Sequence, residues 1–263
     1  MSIRLLHLSD IHFGCENAEA LEAVRDFAAA TPVAAIAVTG DVTQFGWREE
    51  FQSAAAWLKA LPGQVICTPG NHDTPYLGVF DRLFWPFARY ASAIGPADGG
   101  NWTTSDLNIQ TINTARGAQV RLNWSKGAVR ARDAERATAA TAAGDLGALR
   151  VVICHHPLME ITNGPMTGRV RGGRRASEIL AAGEVDLILT GHVHMPFAHP
   201  LPFGDRRTYA VGAGTLSLRE RGSPPGFNVI EVDEKSIRIT ALGWTGRGLE
   251  PERSWGFERR ARG

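Results

Sequence analysis

Five short polar segments carry six of the eight histidines in this 263-residue chain. They are Ser9-Asp10-Ile11-His12, Thr39-Gly40-Asp41, Pro69-Gly70-Asn71-His72-Asp73, His155-His156-Pro157 and Thr190-Gly191-His192-Val193-His194. Seven of these residues, Asp10, His12, Asp41, Asn71, His155, His192 and His194, offer carboxylate, imidazole or amide oxygen, which are donors for hard and borderline metal ions. Seven donors are too many for one ion and suit two ions that share a bridging carboxylate. No thiolate is placed among them, and the set holds too much nitrogen for calcium or magnesium alone. It fits manganese, iron, zinc or cobalt better.

Spacing supports the set. Asp10 and His12 stand two apart at a strand end, so extended backbone would point both to one side, and the same holds for His192 and His194. Gly40, Gly70 and Gly191 each precede a ligand, where a missing side chain lets backbone approach closely. Each residue also has a bland reading when taken alone. Asp10 could cap a turn and His155 could be a satisfied core histidine. It is the recurrence at five strand ends that outweighs those readings. His156, beside a ligand and before Pro157, suits loop support as well as substrate contact, and His7 inside the first apolar run reads as packing. Cys15 lies near the first segment, and chemistry there is the lesser reading.

The elements that must position these residues alternate between short apolar runs and helical patterns, the mark of βαβ units. Strands are expected at 3–8, 33–38, 64–67, 102–112 (one or two), 151–154 and 185–189. Helices are expected at 18–30, 47–61, 77–93, 129–143 and 174–182. Residues 207–211, 227–232 and 236–242 read as antiparallel strands, and the Arg-rich segment from Gly246 reads as loose. Each polar segment follows a strand, and in open α/β sheets the site lies beyond the carboxyl ends of the strands. The domain reading is a single catalytic unit over 1–245 and a tail over 246–263. The aromatic cluster Phe80, Phe84, Trp85, Phe87 and Tyr90 reads as a core face, and Trp47 as a buried helix start.

Composition bounds the rest. A formal net charge of +1, with 44% hydrophobic and 21% charged residues, is ordinary for a globular chain. It gives no general pull toward nucleic acid or an anionic membrane. No run approaches the ~20 apolar residues of a membrane span, and no secretory signal precedes the first strand. The expectation is a cytoplasmic protein with no membrane and no stable nucleic-acid partner. Three cysteines without a CxxC pair suggest neither a disulfide framework nor a zinc finger. Arg169, Arg171, Arg174 and Arg175 form a short basic patch, usually a solvated loop, in which Arg169 and Arg171 are candidate phosphate-binding groups.

Taken in order, Asp10-x-His12, Gly40-Asp41, Gly70-Asn71-His72-Asp73, His155 and Gly191-His192-x-His194 resemble the full motif set of the calcineurin-like metallophosphoesterases, over residues 3 to about 195. Leu8-Ser9-Asp10-Ile11-His12, His155-His156-Pro157 and Gly191-His192-Val193-His194 look most like the bacterial class III cyclic-nucleotide phosphodiesterase branch. The resemblance implies an α/β four-layer sandwich of two mixed sheets flanked by helices. It implies that Asp10, His12 and His194 hold a first metal and Asn71, His155 and His192 a second, with Asp41 bridging. The cofactors would be two divalent or trivalent ions (Fe, Mn or Zn) bridged by Asp41 and a hydroxide. His72 and Asp73 would be catalytic, His72 lying beside the substrate phosphate and Asp73 orienting it, and Asn71 would also contact substrate. Hydroxide would attack phosphorus while His72 protonates the leaving alkoxide. The expected activity is metal-dependent hydrolysis of a small phosphodiester, with 3′,5′-cyclic AMP the first candidate. The alternatives are a pyrophosphohydrolase of a nucleotide-linked lipid precursor, for which residues 77–87 could supply an apolar entrance, and a non-catalytic metal-binding scaffold. The family allows a homodimer.

Overall fold

Alternation along β1 (Ile3–Leu8) feeds two separate cores. Ile3 and Leu5 join the apolar layer between two sheets, while Leu6 and Leu8 join the layer between the first sheet and its helices. The computed structural model describes residues 3–119, 123–160 and 169–262. In that range β1, β2 (Ala35–Val38) and β3 (Val65–Cys67) are parallel neighbours. They continue through β10 (Gly226–Val232), β11 (Ser236–Trp244) and β12 (Leu249–Glu258), all antiparallel, in the order β12-β11-β10-β1-β2-β3.

The second sheet has the order β4-β5-β6-β7-β9-β8. Its strands are β4 (Asn101–Thr103), β5 (Leu107–Thr111), β6 (Leu149–Ile153), β7 (Leu187–Thr190), β8 (Phe197–Pro200) and β9 (Tyr209–Gly212). Helices α1 (Ala18–Ala30) and α2 (Arg48–Ala60) cover the first sheet through Leu21, Val24, Phe51 and Leu58. Helices α5 (Ala131–Ala142) and α6 (Gly173–Ala182) cover the second through Ala134, Ala137, Ala176 and Leu180. The chain is thus the four-layer α/β sandwich expected from the sequence. Caps fix the helix starts: the Asn17 side chain accepts from Ala20 N at 3.0 Å, and Glu50 Oε2 accepts from Trp47 N at 3.0 Å.

Four expectations are corrected. Residues 77–93 form two short helices, α3 (Val79–Phe84) and α4 (Ala88–Ala93), because Pro86 lacks an N–H and forces Trp85 out of helical geometry (φ −138°). Strand β9 is antiparallel to β8 but parallel to β7, so its carboxyl end points the same way as the site-bearing strands. Tyr90 is buried, yet Phe80, Phe84 and Trp85 are exposed, and Trp47 is also exposed rather than a buried helix start. Finally, the segment from Gly246 is not loose: β12 closes a hairpin on β11 and packs Trp255 and Phe257 onto the inter-sheet core.

Beyond β12, Arg260 Nη1 and Arg262 Nη1 reach the fully buried carboxylate of Asp186 at 3.0 and 2.7 Å. Removing both cations strands a buried charge, which typically costs ~3–5 kcal/mol. Arg260→Ala/Arg262→Ala is expected to lower the thermal midpoint by roughly 10 °C. A calorimetric scan in which the midpoint does not move would show that Arg150, whose charge also acts on Asp186, suffices.

Candidate metal centre

Because β1, β2 and β3 run parallel, as do β5, β6, β7 and β9, the loops that follow them gather at one edge of each sheet. Cross-sheet bonds knit those edges together. His192 N donates to Asp10 Oδ2 at 2.8 Å, and the His155 ring meets Thr39 O at 2.7 Å. The approach is so close that glycine is required. A Cβ on Gly191 would lie 1.7 Å from Ser9 Oγ, and one on Gly70 would lie 2.1 Å from Asp41 Oδ1.

The extended-strand argument for Asp10 and His12 is replaced by a different geometry. Asp10 (φ 50°), His12 (φ 52°), Asp41 (φ 50°), His192 (φ 70°) and His194 (φ 59°) are all left-handed. Asp and His tolerate that region better than most residues, though still at a conformational cost. The left-handed turns fold both members of each x-spaced pair inward. Asp10, His12 and His194 then form one group of potential ligand atoms, and Asp10, Asp41 and His155 another. His194 Nε2 lies 3.1 Å from Asp10 Oδ1, and His155 Nε2 lies 3.2 Å from Asp41 Oδ2. The Nε2 atoms of His12 and His194 are 3.3 Å apart.

The opposite ring nitrogens explain how these imidazoles are set. His12 Nδ1 faces Thr43 O, His155 Nδ1 faces Thr39 O and His194 Nδ1 faces Arg219 O, at 3.3, 2.7 and 2.7 Å. A carbonyl only accepts, so Nδ1 carries the proton and Nε2 presents a lone pair to the centre, the arrangement that fixes a metal-ligating tautomer. Three buried polar atoms at the centre have no hydrogen-bond partner: Asp10 Oδ1, Asn71 Oδ1 and His155 Nε2. Buried unpartnered acceptors are costly and call for an explanation. Cations between them supply one, so the residues present fit bound metal.

The electrostatics agree. Burial pushes the imidazoles of His12 and His192 down to about 3, which keeps them neutral. Burial alone would raise the Asp10 and Asp41 carboxyls, but His194 beside Asp10 and His155 beside Asp41 outweigh it and hold both well below the usual carboxylate range. Burial opposes protonation of His155 as well, yet Asp41 pulls it up to about 9, so a metal bound at His155 Nε2 would displace a proton from it.

Several residues take roles other than those expected. Asp73 does not touch the His72 ring. Its carboxylate accepts from Gly70 N, Val42 N, Thr43 N and Thr43 Oγ1 at 2.8–3.2 Å, and so staples the β2 loop to the β3 loop. Burial, with Asp41 nearby, pushes that carboxyl up to about 7. The His72 ring is oriented by Gln44 O at 2.7 Å from Nδ1, while Nε2 lies 3.2 Å from Arg219 Nη1. Both nitrogens of His156 are engaged, Nδ1 by Thr114 Oγ1 and Nε2 by Ser125 O at 2.9 and 2.8 Å, so His156 supports the loop. His7 is buried between Thr39 and Asn228, as packing would require. All three cysteines are free thiols.

Arg169 is exposed, 3.8 Å from Glu160. Arg171 is tied by its backbone to Gly127 and Val129. Among the described residues neither contacts a ligand. The guanidinium beside His72 belongs to Arg219, which sequence reasoning missed, and the charge of Arg221 also acts on Asp10 and Asp41. Both lie in the loop after β9, where Thr215 Oγ1 donates to Asp10 O at 2.7 Å. The strand-end rule would have found this loop had β9 been read as parallel.

No curated protein sequence matches the chain. Solved structures share the fold at low identity. A purple acid phosphatase from yellow lupin seeds aligns with TM-score 0.68 and 11% identity, covering 98% of this chain and 54% of that one. GAP50, the anchor in the inner membrane complex of Plasmodium, gives 0.63 and 14%, covering 99% and 90%. A conserved uncharacterized protein from Streptococcus pneumoniae, a predicted phosphoesterase, gives 0.53 and 15%, covering 98% and 99%. The family model for calcineurin-like phosphoesterases matches residues 3–196. That stretch contains every ligand candidate, and the chain belongs to the calcineurin-like phosphoesterase family.

Proposed function

We propose that the protein is a metal-dependent phosphodiesterase with two ions, one held by Asp10, His12 and His194, the other by Asn71, His155 and His192, with Asp41 between them. The observation that carries this reading is the set of buried, unpartnered ligand atoms on Asp10, Asn71 and His155. Iron, manganese or zinc bound there would supply Lewis acidity and an activated water nucleophile. A binding-only scaffold has no need of a complete ligand set, which counts against that alternative.

The chain's own groups do the remaining work. Arg219 directs its guanidinium to the space beside His72 and is placed to bind a phosphoryl oxygen. Once a phosphate engages Arg219, His72 Nε2 can hold a proton and pass it to the departing alkoxide, while Gln44 O keeps the ring in line. Asp73 holds the two loops that carry Asp41 and Asn71 in register. The segments most like the class III cyclic-nucleotide branch make 3′,5′-cyclic AMP a small-nucleotide substrate to test. The exposed aromatic residues after Asp73 favour a second reading, a phosphoester bearing an apolar group.

Arg219→Ala is expected to lower kcat/KM by ~10²-fold, the scale of losing one preorganised donor to developing charge. Metal content should stay unchanged, because only the Arg219 backbone carbonyl anchors His194. Loss of metal in that variant would move Arg219 from substrate binding to construction of the site.

The test is turnover of bis(p-nitrophenyl) phosphate, p-nitrophenyl phosphate and 2′,3′- and 3′,5′-cyclic AMP by protein stripped of metal and reloaded with Mn, Fe or Zn. Metal-dependent diester turnover exceeding monoester turnover is the expected result. Monoester turnover alone would make the protein a phosphatase, and silence with every metal would sink the enzymatic reading.

A further inference from the structure

Helix α3 is inside out for a helix in water. Leu77, Val79, Phe80, Leu83, Phe84 and Trp85 are between 47% and 75% exposed. The one cation of the helix, Arg82, turns inward instead: Nε donates to Gly117 O at 2.8 Å, and the guanidinium stacks over Trp124 at 5.4 Å. Asp81 is held by Arg89 at 3.1 Å. A surface helix normally buries its apolar stripe and exposes its charges, and monomeric proteins rarely expose so contiguous an apolar patch without a use for it.

The patch joins the metal centre through a short aromatic path. Gln44 O holds the His72 ring. The next residue, Phe45, packs on Trp47 at 5.0 Å and on Tyr76 at 5.4 Å between ring centroids. Trp47 and Tyr76 are both exposed. Arg89, which pairs with Asp81 of α3, also donates to Gly46 O at 2.9 Å. The exposed segment is therefore tied at two points to the loop that sets His72, at Tyr76 just before α3 and through Arg89 of α4, which pairs with Asp81.

We propose that this surface docks the protein on the apolar layer of a lipid bilayer, and that the phosphodiester hydrolysed at the metal centre belongs to an amphiphile presented there. The substrate half of the inference rests on the phosphodiesterase reading, whereas the docking half does not. A bilayer fits better than a second copy of the chain for two reasons. At about 100° per residue Val79, Phe80, Leu83 and Phe84 fall within about 140° of arc, a stripe on a short exposed helix that can lie in the plane of the headgroup–acyl boundary with Asp81 and Arg82 on the opposite side. Tyr76 and Trp85 flank the patch with amphipathic rings suited to a membrane–water interface. The mouth of the site is also complementary to a phosphodiester headgroup, since Arg219 and Arg221 both act there. The expectation of no membrane partner rested on net charge and the lack of a spanning run. Among the described residues no helix is long and apolar enough to cross a membrane, but neither fact bears on peripheral docking.

The experiment compares the full chain, metal-loaded, with Phe80→Glu/Phe84→Glu on vesicles of phosphatidylglycerol and phosphatidylethanolamine. The native chain should co-sediment with a blue shift of tryptophan emission that Trp85→Phe reduces. The double variant should bind about 10-fold or more weakly. Turnover of soluble bis(p-nitrophenyl) phosphate should be the same in both, which also shows that the variant folds. Hydrolysis of a vesicle-borne phosphodiester should fall only in the variant. Absence of native co-sedimentation, or equal binding by the variant, overturns the docking proposal. So does a native dimer in size-exclusion that the variant turns into a monomer, since the surface would then belong to a second copy. Vesicle binding without turnover of any phosphodiester would leave docking standing and sink the catalytic reading instead.

Discussion

Replacing Asp41 by alanine is expected to abolish metal-dependent turnover and to empty both metal positions together. Its Oδ1 accepts from His72 N at 2.7 Å, while Oδ2 faces His155 at 3.2 Å and His12 at 3.9 Å. Its carboxylate thus touches both halves of the ligand set and the loop bearing His72. Losing the Lewis acidity of two ions removes several kcal/mol of transition-state stabilisation, a fall of ~10³-fold or more. Metal analysis beside kcat/KM is the check. Asp41→Asn separates charge from shape: it keeps the backbone contact but weakens cation binding, so it should retain the fold and still lose metal. Two ions per chain with native turnover in Asp41→Ala would overturn the bridging assignment.

The second large effect is at His72. His72→Ala is expected to lower kcat by ~10²–10⁴-fold, the usual scale of general acid–base help, with metal content intact. The leaving group decides the interpretation. A p-nitrophenolate departs without a proton, whereas an alkoxide needs one. The loss should therefore be small on bis(p-nitrophenyl) phosphate and large on a diester with an alkyl leaving group. Equal losses on both would remove the acid role. Loss of metal in the same variant would instead make His72 a ligand, an outcome that the grouping of His12, Asp41 and His72 makes concrete.

The candidate ligand atoms could be named from sequence because metal binding needs particular atoms, and few residue types supply them. Strand ends could be found because an apolar run that stops at glycine and a charged residue has few ways to fold. The left-handed turns at Asp10, His12, Asp41, His192 and His194 were not legible, since one-dimensional spacing suits extended and left-handed backbone alike, and only the crowding between Gly191 and Ser9 and between Gly70 and Asp41 selects one. Asp73 shows the same limit: residue type gave a carboxylate beside a histidine, but three of its four donors come from the distant loop after β2.

Sequence by itself determined the α/β class, most strands and helices and which side chains are candidate metal ligands, because donor type and apolar periodicity are local properties of the chain. Tertiary structure decided everything that depends on which strand lies beside which. Making β9 parallel to β7 brought Arg219 to His72, a residue without a motif of its own. Pairing β12 with β11 turned an expected loose tail into an edge strand, with Arg260 and Arg262 anchored on a carboxylate 76 and 74 residues earlier for Arg262 and Arg260 respectively. The aromatic run after Asp73 has the composition of a core face. Pro86 broke the helix that would have buried it and left its rings facing outward beside the site, since burial is a property of neighbours and the chain's order does not name them.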